Sequence, residues 1–123
     1  MLRYVQADLH VHTCLSPCGE LEMTPVHIVR VSVERGLDVI AVCDHNTAAN
    51  VIGVQRAARK TPLKVLAGME ITTAEEVHLL GLFDHAEQAL TLQGKVYGHL
   101  LPGRNDEDLF GMQVIANERD EVE

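Results

Sequence analysis

A chain of 123 residues with 46% hydrophobic and 23% charged residues has room for one domain with a real core, not for two, and its composition is that of a globular protein. Its formal net charge of −8 argues against general binding along a nucleic-acid backbone, and two Tyr, two Phe and no Trp leave little for stacking bases. No apolar run has the length of a bilayer span, and Arg3, Asp8, His10 and His12 stand where a signal peptide needs an apolar core. With three cysteines (Cys14, Cys18, Cys43) that cannot all pair, the expected location is the cytoplasm, with free or metal-bound thiols and no membrane partner.

In chain order, residues 4–12 read as a first, buried strand ending in His10-Val11-His12. Strand alternation places Asp8, His10 and His12 on one face. Two imidazoles there can chelate one metal, with a carboxylate behind them to fix their tautomers; a solvated polar face gives the same alternation. A loop containing Pro17 and Gly19 leads to Thr24-Pro25, the N-cap and first position of a helix that runs to about Arg35 and stops at Gly36. Val26, Val29 and Val33 lie at helical spacing and are expected to face the core. Leu37–Cys43 is a second strand, followed by Asp44-His45-Asn46, and Thr47 is the expected cap of a helix from Ala48 to Lys60. Leu63–Met69 is a third strand with Glu70 at its end.

This β-α-β-α-β order implies an α/β fold with a mostly parallel sheet. In such sheets reactive residues gather beyond the carboxyl ends of the strands, where His10, His12, Asp44, His45 and Glu70 all fall. Glu76–Phe83 is a further strand that folds back as a hairpin, bringing His78 beside Glu70. Asp84, His85 and Glu87 suggest a helix start, and the helix continues to about Leu100. A loop from Pro102, a short strand at Gln113–Ala116 and a turn at Asn117–Asp120 complete the chain. Glu121-Val122-Glu123 would open a return strand, so the expectation is a single domain over 1–123 that is the N-terminal piece of a longer protein.

Together His10-x-His12, Asp44-His45-Asn46, Gly68-Met69-Glu70 and Glu76-Val77-His78 resemble the PHP (polymerase and histidinol phosphatase) family, over nearly the whole chain. The resemblance implies the N-terminal portion of a distorted (β/α)7 barrel and a metal-dependent phosphoesterase that uses two or three manganese, iron or zinc ions. It implies that His10 and His12 bind one metal, that Glu70 bridges two, that His78 holds the second, and that His45 binds a further ion or lies beside it. Glu70 and His45 are thereby the candidate catalytic residues. The expected reaction is attack on a phosphate ester by a water that the metals activate. The family's loop Asp or His is replaced here by Cys18, a possible thiolate ligand or a plain loop thiol. The family's later ligands, a mid-barrel histidine and an Asp-x-His, have no counterpart before Glu123. The resemblance therefore implies an incomplete site, and a chain that can be inactive by itself.

Asp8 and Asp44 are candidates for carboxylates that orient histidine ligands, with structural roles as the alternative. His27, His85 and His99 read as surface residues, and Arg104 and Lys64 as solvated charges rather than phosphate contacts. Cys14 and Cys43 read as small buried residues; Cys14 and Cys18 with His10 and His12 would be a separate zinc site that leaves the downstream ligands unexplained. The expected substrate is a phosphorylated small molecule or nucleotide rather than polymeric nucleic acid. Uncovered barrel edges would favour a homo-oligomer. Two other functions fit parts of the pattern: a non-catalytic metal-binding or regulatory module, and a TIM-barrel amidohydrolase, whose metal-bridging lysine is not evident.

Overall fold

The computed structural model describes residues 1–123. Its elements are β1 (Ala7–Val11), α1 (Pro25–Glu34), β2 (Val39–Val42), α2 (Val51–Ala57), β3 (Lys64–Thr72), β4 (His78–Phe83), α3 (Ala86–Tyr97) and α4 (Glu107–Phe110). One four-stranded sheet runs in the order β1-β2-β3-β4, with β1, β2 and β3 parallel and β4 antiparallel to β3.

Alternation divides this sheet into two unlike faces. Ile40, Val42, Val65, Ala67 and Met69 point to one side and close a core with Ile28 and Val29 of α1, Val51 and Val54 of α2 and Ala89 of α3. Each buried Val, Ile or Met side chain among them contributes about 1.5–3 kcal/mol of transfer free energy, and each Ala less. Ala41, Cys43, Gly68 and Glu70 lie at the intervening positions, so the other face is built of small residues and one carboxylate. Gly68 is required there by close strand approach: a Cβ would meet the Cys43 Sγ at 2.6 Å and the Val42 carbonyl oxygen at 2.7 Å.

Several elements differ from their sequence expectation. β1 is an exposed edge strand, not a buried one, and it carries a bulge: Asp8 pairs with Ile40 while Val11 pairs with Val42. Three steps along β1 thus match two along β2, which returns Asp8 to the helix side, the side of Ile40 and Val11. Asp8 therefore does not share the face of His10 and His12. The buried face of α1 is Pro25, Ile28, Val29 and Ser32, while Val26 and Val33 are exposed. The Val spacing was compatible with a helix, but the packing direction was set by the sheet below.

Thr24 caps α1 as expected, accepting from the His27 N–H, and Asp120 adds a second cap by accepting from the Val26 N–H and the Thr24 hydroxyl. α2 begins at Val51 rather than Ala48; the Thr47 hydroxyl accepts from the Ala49 N–H and donates to Gln93, but residues 48–50 form a turn ahead of the helix. α3 starts one residue later than Asp84 suggested; the Gln88 side chain accepts from the His85 N–H, and the helix ends at Tyr97. Gln113–Ala116 forms no strand, only a single bridge between Ala116 and Val122 across the turn at 117–120, and the short α4 was not anticipated. No helix is long and apolar enough to cross a membrane.

Candidate metal centre

Glu70 is the hub of the small-residue face. It sits inside β3, two residues before the strand ends, and is 4% exposed. Its Oε2 lies 2.7 Å from His10 Nε2, 3.0 Å from His12 Nε2 and 3.7 Å from His45 Nδ1, and its Oε1 lies 2.7 Å from His78 Nδ1. Each histidine arrives by backbone geometry. His10 and His12 lie at the end of β1, and His45 follows β2 in a bridge to Glu70 itself. His78 pairs with Thr72, two residues from Glu70, so the antiparallel register places it on the Glu70 face. The rings pack together, with His12 stacked on His45 at 4.7 Å between centroids and His10 tilted 4.9 Å from His12.

Three groups of donor atoms result, each mutually within 4.8 Å: His10, His12 and Glu70; His45, Glu70 and His78; and His12, Cys18 and His45. His10 Nε2 and His12 Nε2 are only 3.1 Å apart beside one carboxylate oxygen. One buried carboxylate stands at a point where the ring nitrogens of four imidazoles converge. That donor set fits a divalent cation. Burial would raise the Glu70 carboxyl, but hydrogen bonds from His10 and His78 outweigh it and hold Glu70 below the usual carboxylate range. Burial and the neighbouring His45 lower His12, favouring the neutral imidazole that binds metals.

Asp44 reaches no imidazole, so the direct orienting role considered for it is corrected. It is 1% exposed and accepts from the Thr13 N–H and the Ser16 hydroxyl on Oδ1 (2.7 and 2.6 Å) and from the Thr13 hydroxyl on Oδ2 (2.7 Å). Ser16 carries the effect onward. With its proton given to Asp44, its oxygen accepts from His12 Nδ1 (3.1 Å) and from the His45 N–H (3.2 Å). His12 then keeps its proton on Nδ1 and turns a bare Nε2 to the centre. Sequence reasoning did not single out Ser16, Thr13 or Asn50, since nothing local distinguishes a loop serine from one that orders a ligand. Asn46 had a readable signal: its φ of 55° is a conformation that asparagine tolerates, and its Oδ1 accepts from the Thr72 N–H, joining the end of β2 to β3.

Ser16→Ala is expected to weaken divalent-metal binding by about 10–100-fold, the range for loss of a group that orients a histidine ligand. Isothermal titration of the metal-free protein measures it; unchanged affinity would contradict the relay.

Other candidates lie away from the centre. Asp8 accepts the His10 N–H with its carboxylate and meets no ring. Cys14 is buried and donates to the Val114 carbonyl, which removes the Cys14–Cys18 zinc alternative. Burial, with Asp44 close by, pushes the Cys43 thiol up to about 12. Lys64 pairs with Asp84 at 3.7 Å, and Arg104 stands in an exposed loop. His27 meets Arg30, and His99 the Lys95 carbonyl.

A family model for the PHP domain matches residues 8–102, from the first strand through α3. The chain belongs to the PHP domain family. Among curated relatives, a 5'-3' exoribonuclease of Haemophilus influenzae is 32% identical over 88 residues, 68% of this chain and 31% of that protein. A phosphoribosyl 1,2-cyclic phosphate 1,2-diphosphodiesterase of Eggerthella lenta is 23% identical over 121 residues, 94% of this chain and 44% of that protein. An uncharacterized protein of Methanocaldococcus jannaschii is 31% identical, covering 64% of this chain and 50% of its own length. The PHP chain thus spans between about a third and a half of the curated relatives it matches. Among solved structures, a candidate metal-dependent phosphoesterase from Bifidobacterium adolescentis superposes with a TM-score of 0.52 at 31% identity, over 65% of this chain and 27% of that one. An amidohydrolase from Chromobacterium violaceum superposes at 0.56 and 23% identity, over 72% and 32%, a likeness of fold. The PHP fold here is therefore mixed α/β with a four-stranded sheet matching part of a barrel, and its His/Glu clusters have the donor set of a divalent-metal phosphoesterase family.

Proposed function

We propose that the protein is a metal-dependent phosphoester hydrolase in which His10, His12 and Glu70 hold one divalent ion, and Glu70, His78 and His45 hold a second. The observation that carries this reading is Glu70, whose two oxygens face different histidines, Oε2 toward His10 and His12 and Oε1 toward His78. A carboxylate so placed can bridge ions about 3.5–4 Å apart, the spacing of two-metal hydrolases. The bound ions would be manganese, iron or zinc, supplying an activated water and neutralising charge on the phosphoryl oxygens. The chain's own residues do the positioning. Ser16 and Asp44 hold His12 in its ligating tautomer, and the β3–β4 register aims His78 at Glu70. His45, a quarter exposed at its side chain, is assigned in this reading to the second ion and to the substrate phosphate beside it.

The four strands are, in this reading, the opening part of a (β/α)7 barrel. Two relatives carry names that denote cleavage of phosphodiesters, in RNA and in a ribose cyclic phosphate. A phosphorylated small molecule or nucleotide remains the preferred substrate class here, because the chain's net charge of −8 offers no extended track for a polymer backbone.

The test is hydrolysis of nitrophenyl phosphate mono- and diesters by the full-length protein with added manganese. Turnover that disappears in the His10→Ala/His12→Ala double variant supports the reading. Turnover no higher than that variant's overturns it, and stoichiometric metal without turnover favours a non-catalytic binding module.

A further inference from the structure

The segments that carry His45 and His78 meet again outside the centre. His78 opens β4 and pairs with Thr72 across a tight turn. In that turn the Thr73 N–H donates to the Val77 carbonyl (2.9 Å) and the Val77 N–H to the Thr73 hydroxyl (3.2 Å). Two residues after His45, the Thr47 hydroxyl accepts from the Tyr97 hydroxyl (2.8 Å) and donates to Gln93 (3.1 Å), both on α3. The Gln93 side chain also accepts from the Ala48 N–H (2.8 Å), so the last turns of α3 hold the chain just beyond His45.

Between the β3–β4 turn and the end of α3 lies a cavity of about 750 Å³. Its volume is that of a small-molecule site. Ile71 and Val96, both packed against the core, give it an apolar floor, and Leu100 forms part of its wall. Strand alternation points Ile71 to the helix side of the sheet, opposite Glu70, so the cavity is separate from the metal centre. The chain has 18 acidic residues against 10 Lys and Arg, yet no acid lines this cavity, and its titratable lining residues are Lys95 and His99. Arg30, Arg56, Lys64 and Arg119 each pair with a carboxylate, whereas Lys95 pairs with none. The His99 ring is held by Nδ1–H donation to the Lys95 carbonyl (2.8 Å). An apolar cleft with one unpaired ammonium is complementary to an anion that carries an apolar body.

We propose that this cavity binds a small organic anion with an apolar or aromatic body, and that its occupancy tightens binding of the second ion. The coupling rests on the two-ion reading given above; the anion site itself does not. The anion's charge meets Lys95, and its body lies against Ile71 and Val96. A ligand that bridges the β3–β4 turn and the end of α3 fixes the two elements that hold His78 and His45. Less ordering then remains when the ion binds. Coupling between two sites is reciprocal, so the ion strengthens anion binding by the same factor.

Anilinonaphthalene sulfonate, an aromatic anion that fluoresces on leaving water and has no phosphoester to hydrolyse, is the probe. Titrated into the metal-free full-length protein, it is expected to saturate one site. Its affinity should fall by about tenfold or more in Lys95→Gln, the loss of a hydrogen bond to a charged group. A Leu109→Ser/Phe110→Ser variant, which removes two exposed apolar side chains away from the cavity, should bind it as the wild type does. Saturating zinc should raise the probe's affinity by about fivefold or more, the lower end of the usual coupling between sites. Binding unchanged in Lys95→Gln, or lost in the Leu109/Phe110 variant, would overturn the anion site by placing the probe elsewhere. Binding that depends on Lys95 but ignores zinc, with calorimetry showing the centre loaded, would overturn the coupling. Zinc that does not bind at all would overturn the two-ion reading and the coupling with it, and leave the anion site standing on the Lys95 result.

Discussion

Glu70→Gln is expected to lower divalent-metal affinity by at least about 100-fold, or about 2.7 kcal/mol, because outer groups that merely orient a ligand already contribute up to that much. Glutamine preserves the volume of the side chain and one acceptor oxygen but removes the charge that faces all four histidines. In the full-length protein, hydrolysis of a phosphoester should fall by about 10²–10³-fold, as for removal of one preorganised charge-stabilising contact. Metal content after dialysis and calorimetric titration measure the first effect, and turnover under saturating metal the second. Affinity within about twofold of wild type would remove Glu70 from the centre, since even a loss of orientation alone costs more.

The same substitution has a signature without metal. Hydrogen bonds from His10 and His78 hold Glu70 below the ordinary carboxylate range in the folded chain. The stabilisation this represents is present above the unfolded pKa and is lost as pH falls through the folded value. Denaturation of the metal-free protein across the acid range should therefore show a shallower loss of stability in Glu70→Gln than in wild type.

Asp44→Ala is expected to be among the most destabilising single substitutions in the chain, costing about 3–5 kcal/mol. The carboxylate satisfies three donors, the Thr13 N–H and hydroxyl and the Ser16 hydroxyl, all on buried residues. Each buried group left without a partner costs about 1–3 kcal/mol, and the two hydroxyls recover part of that by turning to other acceptors. Against a total stability of about 5–15 kcal/mol, this lowers the urea midpoint by about 2 M. Asp44→Asn keeps one acceptor oxygen and should lose roughly half as much. A loss below about 1 kcal/mol for Asp44→Ala would show that the Thr13–Ser16 turn is held by its other contacts.

Those other contacts tie distant parts of the chain to the centre. Asn50 is fully buried at the start of α2, where it caps no helix N–H with its side chain. Its amide instead donates to the Thr13 hydroxyl (2.9 Å) and the Val114 carbonyl (3.0 Å), and its oxygen accepts from the Ala116 N–H (3.0 Å). The segment at 114–116 is thereby held against the turn that positions Ser16. A conventional reading of Asn50 as a helix cap would have missed this role, because the partners lie 37 and 64 residues away.

The amino-acid sequence by itself determined the strand–helix alternation, the placement of His10, His12, His45 and Glu70 near strand ends, and the return of His78 beside Glu70. These are local properties: hydrophobic runs, turn residues and a periodicity of two operate within a few residues. The PHP resemblance rested on the same local motifs, and the family match over residues 8–102 agrees with it. Only the tertiary structure decided which side chains touch. A single bulge in β1 moved Asp8 to the opposite face from His10, although alternation alone placed them together. The Asp44–Ser16–His12 relay joins residues 28 and 4 positions apart. Nothing in the order of residues 15–19 says that the Cys18 sulfur lies near both His12 and His45. Such contacts depend on register, on close approach at Gly19 and Gly68, and on the satisfaction of buried donors, which are settled only when the whole sheet and its loops pack.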